Sequence, residues 1–168
     1  MQRRQNIGKK ELKISPVGYV RKVDGGFCLE IEKEYIPALK GLEGFSYINV
    51  FWWCHLCDDE EYRKIVECEQ PYKKSPPKMG IFATRSPLRP NPIALTAVYV
   101  LKIDYDSGTI HIPYIDAEDG TPIIDLKPYH PSADRIRDVA VPQWCSHWPE
   151  WYEDAGNFDW ESEFVNAR

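Results

Sequence analysis

Short runs of β-branched and aromatic residues, separated by turn residues, occupy most of the chain up to residue 126. Residues 14–23 and 27–31 flank Asp24-Gly25-Gly26, a turn signal that predicts a β-hairpin. The run 45–54 (FSYINVFWWC) is apolar at both odd and even positions, which indicates a strand covered on both faces. Further runs lie at 92–103, 109–114 and 121–126. We therefore expect six or seven strands.

Helical signals are few and short. Residues 33–42 contain Pro37, which limits any helix there to a turn or two. Residues 58–68 begin with acids and predict a short helix capped at Asp58 or Asp59. Residues 70–79 (QPYKKSPPKM) predict a basic, proline-rich loop without regular structure. The expected fold is mainly β: a single-domain antiparallel β-barrel with one or two short helices and a Trp-rich C-terminal tail.

Length and charge divide the chain into three parts. With 168 residues and 43% hydrophobic content, the sequence is long enough for one domain with a substantial core. We expect a basic N-terminal arm at 1–13, the barrel domain at 14–138 and an acidic, Trp-rich tail at 139–168. The tail carries much of the net charge of −5, because 149–168 hold six acids and one base. No apolar run approaches a membrane span or a secretory signal, so the expected location is the cytoplasm.

Cysteine spacing gives little support to a metal site. Five cysteines are an odd number, and in a cytoplasmic protein they are expected to be reduced. Cys54 and Cys57 have the C-x-x-C spacing of half a zinc site, but no second pair follows at a suitable distance. We therefore expect no bound metal.

The segment 80–95 (GIFATRSPLRPNPIAL) is the most unusual stretch in the chain. Three prolines, at 87, 90 and 92, stiffen the backbone around Arg85, Arg89 and Asn91. One interpretation is a rigid, preorganised loop that recognises an anion, since arginine offers a planar fork to carboxylate or phosphate. The other is a tight crossover whose arginines only pair with nearby acids. Residue chemistry alone leaves both open.

A second polar cluster ends the last predicted strand, within 116–129 (DAEDGTPIIDLKPY). Asp125, Lys127 and Tyr129 alternate, so their side chains should lie on one side of the strand. Together they could orient a ligand or move a proton, or they could simply fix the strand end with one ion pair. The sequence has no GxGxxG, no GxxxxGK[ST] and no GxSxG, so these clusters do not by themselves name a reaction.

Three blocks of the sequence resemble the TsaA-like (YaeB, TrmO) family. The blocks are 41–53 (GLEGFSYINVFWW), 80–98 (GIFATRSPLRPNPIALTAV) and 119–129 (DGTPIIDLKPY), in the family's order. The resemblance implies a dimeric β-barrel that binds S-adenosyl-L-methionine without a Rossmann fold, with its pocket near the subunit interface. It further implies methylation of the N6 nitrogen of threonylcarbamoyl-adenosine in tRNA, beside the anticodon.

The resemblance also implies which residues form the site. Asp125 is the first candidate for a general base and Tyr129 a weaker one, with Lys127 beside them. The implied cofactor-binding residues are Phe82, Ala83, Thr84, Arg85, Ser86, Pro87, Arg89, Asn91, Asp125 and Lys127. A carboxylate such as that of S-adenosyl-L-methionine suits Arg85 or Arg89.

Several positions depart from the family pattern. Tyr47 stands where the family usually has histidine, Ala94 where it has glycine and Thr96 where it has serine. Longer relatives carry a C-terminal domain thought to hold tRNA, whereas the acidic tail here is a poor partner for phosphates. Two other functions therefore stay open: a methyltransferase acting on a small molecule, and a non-catalytic module that binds the cofactor.

Overall fold

The computed structural model describes residues 12–166, so the predicted basic arm lies almost entirely outside the described residues. Strands are the main regular elements of this part of the chain. They are β1 Gly18–Val23, β2 Gly26–Ile31, β3 Tyr47–Trp53, β4 Glu67–Glu69, β5 Lys78–Gly80, β6 Ile93–Tyr99, β7 Lys102–Asp104, β8 Thr109–Ile112 and β9 Pro122–Pro128.

Seven strands form one antiparallel sheet in the order β6-β3-β9-β1-β2-β8-β7, while β4 and β5 pair separately. The two outermost strands, β6 and β7, are consecutive in the chain and only Val100 and Leu101 separate them. The Val100 N–H donates to Ser46 O and the Leu101 N–H to His111 O, each at 2.9 Å. The sheet must therefore curl to bring its ends together. No ladder between β6 and β7 closes it within residues 12–166.

The hydrophobic core lies on the inner face of this curled sheet. It is made of aliphatic side chains that are almost fully buried: Val20, Leu29, Ile48, Val50, Ile110, Ile112, Ile115 and Ile123. Burying one such side chain contributes about 1.5–3 kcal/mol relative to leaving it in water. The alternation of apolar and polar residues along β1 and β8 therefore indicates which face of the sheet turns inward.

Most of the predicted strands are present. The 24–26 turn joins β1 to β2, with Gly25 at φ 84° as this tight turn requires. The 45–54 strand is confirmed as β3, which pairs with β6 on one side and β9 on the other. The mainly-β, antiparallel fold class is thus confirmed, although a closed barrel is not shown.

Three boundaries were predicted wrongly. Residues 92–103 are two strands rather than one, because the chain turns at Val100 from pairing with β3 to pairing with β8. The loop 70–79 contains the start of β5, which pairs with β4 in the C-terminal part of the predicted 58–68 helix. The last strand continues beyond 126 to Pro128, which pairs with Ile48 at the end of the ladder, where a missing donor costs little.

Helices are short, as expected, and none in the described residues is long and apolar enough to cross a membrane. The first, α1 (Glu60–Arg63), is capped by the Asp59 side chain, which accepts a hydrogen bond from the Glu61 N–H. Two more α-helical turns follow, α2 (Pro131–Asp134) and α3 (Trp160–Glu163). A 3-10 helix at Lys33–Leu39 accommodates Pro37.

The C-terminal tail folds back on the rest of the chain. Trp144 stacks on Tyr72 of the 70–79 loop, with ring centroids 5.4 Å apart and planes 8° apart. The Tyr152 hydroxyl donates to Ala97 O of β6 at 2.8 Å. The tail therefore covers part of the domain, as its tryptophans indicated. The boundaries at 13 and 138 stay predictions.

Candidate functional site

The segment before β6 is tied together by its own hydroxyl groups. Ile81–Ala83 forms a 3-10 turn, and the Thr84 hydroxyl donates to Ile81 O at 2.8 Å. That hydroxyl also accepts from the Ser86 N–H, and the Ser86 hydroxyl accepts from the Leu88 N–H, both at 3.2 Å. Such side-chain turns replace regular structure where prolines forbid it. The predicted stiffness of this loop thus has a structural basis beyond its prolines.

Arg89 is bound inside the loop. One Nη donates to Ile81 O at 3.0 Å and to Thr84 O at 2.9 Å, while the buried Nε has no partner. The crossover interpretation therefore describes Arg89 well, except that its partners are main-chain carbonyls rather than acids. A second arginine, Arg63, contacts Pro90 O from outside at 3.4 Å.

A cavity of about 740 Å³ opens beside this loop. Its volume falls within the usual range for small-molecule sites. Arg85, Pro87 and Arg89 line one wall. None of the salt bridges within residues 12–166 includes Arg85, so its guanidinium is available to a ligand.

Apolar and aromatic side chains form much of the remaining wall. Phe27 and Tyr114 meet edge to face, with centroids 5.9 Å apart. Trp52 is held in place by a hydrogen bond from its indole Nε1 to the Thr96 hydroxyl at 3.0 Å. A surface of this kind can contact a flat heterocycle through the faces and edges of its rings.

The charged groups of the cavity fall into two kinds. Lys22 and Glu118 neutralise each other across 2.7 Å. Asp116, two residues before Glu118, makes no salt bridge and accepts no side-chain hydrogen bond within the described residues. Within the described residues, Arg85 on one loop and Asp116 on another therefore have no salt-bridge partner, and Arg89 is hydrogen-bonded only to main-chain carbonyls.

Cys54 and Cys57 both line this cavity. Burial raises the pKa of the Cys54 thiol to about 11, with a smaller contribution from the neighbouring Cys57, so Cys54 is a neutral thiol at physiological pH. No group of three or more His, Cys, Asp or Glu side chains within residues 12–166 has the arrangement of a metal site. The two cysteines of the C-x-x-C motif are part of the cavity wall.

The predicted loop residues have different environments. Arg85, Pro87 and Arg89 line the cavity, whereas Thr84 is buried beneath it and Ser86 is half-buried. Phe82, with 82% of its surface exposed, and the exposed Ala83 and Asn91 are not among the lining residues. The predicted cofactor loop therefore lies beside the cavity, and only part of it lines the cavity, while its role in cofactor binding stays a prediction.

Asp125, Lys127 and Tyr129 are not among the residues that line this cavity. Asp125 pairs with Phe51 and Lys127 with Asn49 across the β9–β3 ladder, so they share the face of β3 opposite Trp52. Asp125 and Lys127 lie on one side of the strand as predicted, and Lys127 Nζ is 2.6 Å from Asp125 Oδ2. The cavity that Arg85 lines therefore does not include them.

Sequence reasoning missed much of the cavity wall. Trp52, Phe27 and Tyr114 belong to strands or turns whose apolar patterns predict only core positions. Asp116 lies in the second polar cluster, 116–129, but nothing in its spacing distinguished it from Asp119 or Asp125. Only the register of the sheet brings 52–57, 84–96 and 114–121 to one cavity.

The fold and the cavity define a class: a small antiparallel β domain with a proline-stiffened, arginine-bearing ligand loop and no nucleotide-binding Rossmann motif. Comparison with known proteins identifies the group within it. The family described as "tRNA-methyltransferase O N-terminal domain" matches residues 16–135. This chain belongs to that family, and the TsaA-like resemblance is confirmed.

Similar proteins have two kinds of name. A probable S-adenosyl-L-methionine-binding protein of Pyrococcus horikoshii is 41% identical over 116 residues, 68% of this chain and 80% of the relative. The tRNA (adenine(37)-N6)-methyltransferase of Escherichia coli is 33% identical over 126 residues, 74% of this chain. A crystal structure of TrmO from Pseudomonas aeruginosa matches with a TM-score of 0.62 and 26% identity over 82% of this chain.

The match covers only part of the length of the bacterial proteins. This chain spans 53% of the length of the Escherichia coli enzyme and 63% of the solved Pseudomonas aeruginosa chain. S-adenosyl-L-methionine, the cofactor expected from the motifs, is the ligand named for the archaeal relative.

The two arginines of the loop should respond differently to removal. We expect Arg89→Ala to lower the free energy of unfolding by about 1.5–3 kcal/mol, since it removes a charged donor from two buried carbonyls. Arg85→Ala, which removes no contact of this kind, should change it by less than about 0.5 kcal/mol. Urea unfolding followed by tryptophan fluorescence measures both. If Arg89→Ala lowered the free energy of unfolding as little as Arg85→Ala is expected to, Arg89 would not hold the loop.

Proposed function

We propose that this chain is an S-adenosyl-L-methionine-dependent methyltransferase whose acceptor is an adenosine of tRNA. The observation that carries the proposal is the cavity beside the family's arginine loop, with its unpaired Arg85 and aromatic walls. The names of the relatives support the same chemistry. Bound there, the cofactor would supply an activated methyl group, and the protein's main task would be to position the acceptor in line with it.

The residues of the cavity suit the chemical parts of this cofactor. Arg85 is a fork-shaped donor that matches the carboxylate of the methionine part. Trp52, Phe27 and Tyr114 suit the adenine ring. Asp116 is the free carboxylate of the cavity, and we assign to it the stabilisation of the positively charged sulfonium group.

The assignment of Asp116 predicts selective loss of affinity. Asp116→Asn should weaken binding of S-adenosyl-L-methionine roughly 5- to 10-fold, equivalent to about 1–1.4 kcal/mol for opposite charges in a wet cavity. Binding of S-adenosylhomocysteine, which lacks the sulfonium charge, should change much less. Isothermal titration calorimetry with both ligands measures this selectivity.

Glu118→Gln is the matched control for Asp116→Asn. It removes a carboxylate from the same loop, but one that Lys22 already neutralises at 2.7 Å. We expect no selective effect from it. If Asp116→Asn weakened both ligands equally, the carboxylate would not face the sulfonium group.

The choice of a particular tRNA adenosine as acceptor rests on the family resemblance and not on the distribution of basic residues around the cavity. We propose N6-methylation of threonylcarbamoyl-adenosine beside the anticodon, a reaction expected to occur in the cytoplasm. Lys73, Lys74 and Lys78, which a tRNA enzyme would gather around the cavity, are not among its lining residues. Lys78 lies 3.5 Å from Glu67 instead. This distribution favours, as the second candidate, a methyltransferase acting on a small molecule.

Transfer of labelled methyl groups distinguishes the two acceptors. Incubation with methyl-labelled S-adenosyl-L-methionine and total tRNA from a strain lacking its own enzyme should label tRNA, and nuclease digestion should place the label on the modified adenosine. A transcript without the threonylcarbamoyl group should stay unlabelled. Cofactor binding without label in tRNA would support the small-molecule candidate, and binding without turnover on any acceptor would indicate a non-catalytic module.

We propose, further, that the active form is a homodimer with shared sites. Asp125, Lys127 and Tyr129 are not among the residues that line the cavity, and this supports a second subunit that brings them to the cofactor loop. Leu95 and Tyr99 of β6 are 42% and 45% exposed, which leaves apolar surface for such an interface. Across it, Asp125 would act as the base that removes the acceptor proton, with Lys127 holding the carboxylate.

A mixed dimer tests the shared site. Arg85→Ala and Asp125→Asn subunits should each form weakly active homodimers, because each substitution disables both sites. A dimer with one subunit of each kind should recover about half of the wild-type activity, since one of its two sites then combines an intact loop with an intact Asp125. Differently tagged subunits allow the mixed dimer to be purified and assayed. No recovery would mean that Arg85 and Asp125 do not belong to one site, and full activity of Asp125→Asn alone would remove its role as base.

A further inference from the structure

Five aromatic rings hold the C-terminal tail against the loop that precedes the candidate site. We call them the aromatic clamp, and its members are Tyr72, Trp144, Trp148, Trp160 and Phe164. Tyr72 lies in the middle, with Trp144 stacked on one side and Trp148 edge-on at 4.8 Å. Phe164 contacts Tyr72 at 5.7 Å, and Trp160 joins Trp148 at 5.3 Å. Tyr72 is 8% exposed, so the clamp is a small core of its own.

Main-chain hydrogen bonds reinforce the clamp. Phe164 forms an isolated antiparallel bridge with Tyr72, in which the Val165 N–H donates to Pro71 O at 3.0 Å and the Lys73 N–H to Glu163 O at 3.1 Å. Glu163 itself is buried and accepts from His147 at 3.1 Å. The tail is thereby fixed to the loop by backbone contacts as well as by ring packing.

The tail contacts the chain on both sides of Arg85. Tyr72, which the clamp holds, lies in the loop between β4 and β5, and β5 leads through the 81–83 turn to Arg85. Farther along the tail, Tyr152 donates to Ala97 O of β6, the strand that follows the arginine loop. The tail therefore contacts the chain both before and after the segment that carries Arg85.

We infer that the tail is a positioning element for ligand binding: by packing Trp144 and Trp148 against Tyr72, it holds Arg85 at the cavity wall. Arg85 is exposed and makes no salt bridge in the described residues, so its direction depends on its backbone rather than on partners of its own side chain. Holding that backbone in place lowers the conformational entropy lost when a ligand binds. The clamp residues other than Tyr72 lie beyond 16–135, the part that the family model matches.

This inference rests on the proposed function, because it gives Arg85 the carboxylate of the cofactor. It predicts an effect confined to that part of the ligand. S-adenosylhomocysteine and 5′-methylthioadenosine are both uncharged at sulfur, and they differ in the amino-acid part that only the first carries. A displaced Arg85 should weaken binding of the first and leave the second unchanged, whereas a general loss of structure should weaken both.

Trp144→Ala in the full chain is the direct test. We expect S-adenosylhomocysteine to bind roughly 5- to 10-fold more weakly and 5′-methylthioadenosine to bind within twofold of wild type, measured by calorimetry below the unfolding transition. Trp144→Phe, which keeps a ring on Tyr72, should restore most of the affinity. Trp151→Ala is the matched control, because Trp151 is a half-exposed tail tryptophan outside the clamp.

Two further variants keep the outcomes distinct. Trp148→Leu replaces the ring that lies edge-on to Tyr72 by a smaller apolar side chain, so it should reproduce part of the selective loss even if Trp144→Ala does not fold. In an Arg85→Ala background, Trp144→Ala should have no further selective effect. Equal weakening of both ligands, or no weakening in either Trp144→Ala or Trp148→Leu, would overturn the positioning role. If Arg85→Ala itself did not discriminate between the ligands, the carboxylate assignment in the proposed function would fail instead.

Discussion

One Nη of Arg89 donates to two main-chain carbonyls of its own loop, and the shape of the candidate site depends on these bonds. Its bonds to Ile81 O and Thr84 O close the segment before β6 into a compact turn, which the Thr84 and Ser86 hydroxyls complete. Prolines on either side prevent the chain from relaxing into a strand or a helix. Arg85 can therefore stay at the cavity wall without a salt bridge of its own, because its main chain has few alternatives.

The charged side chains of the cavity also differ in whether they form an ion pair within the protein. Lys22 and Glu118 form an ion pair, whereas Arg85 and Asp116 make no salt bridge within residues 12–166. A ligand that carries separated charges of both signs suits such a wall, whereas a simple anion would leave Asp116 unfavourably close. This makes the cavity more selective than an arginine loop alone would be.

The family resemblance assigns the arginine loop and the Asp125–Lys127 cluster to one site, but the sheet places them apart. Successive residues of β3 point to opposite faces, so Trp52 contributes to the cavity while Phe51 lies beside Asp125 and Lys127 on the other side. Asp125 and Lys127 therefore lie outside the cavity that Arg85 lines. The tail adds a further contact, since it fastens the loop before Arg85 through Tyr72 and reaches β6 through Tyr152.

The pattern of the chain by itself determined the strand content, the β1–β2 hairpin, the covered strand β3 and the proline-stiffened loop that carries Arg85 and Arg89. Alternation, turn residues and proline positions are local properties, so each can be predicted from neighbours in sequence. The tertiary structure alone decided that Arg89 is internal and Arg85 free, since that depends on where the carbonyls of Ile81 and Thr84 point. It also decided that Trp52, Tyr114 and Asp116 meet at one cavity while Asp125 does not. These outcomes follow from sheet register and from the direction of side chains across the sheet, which no short stretch of sequence contains.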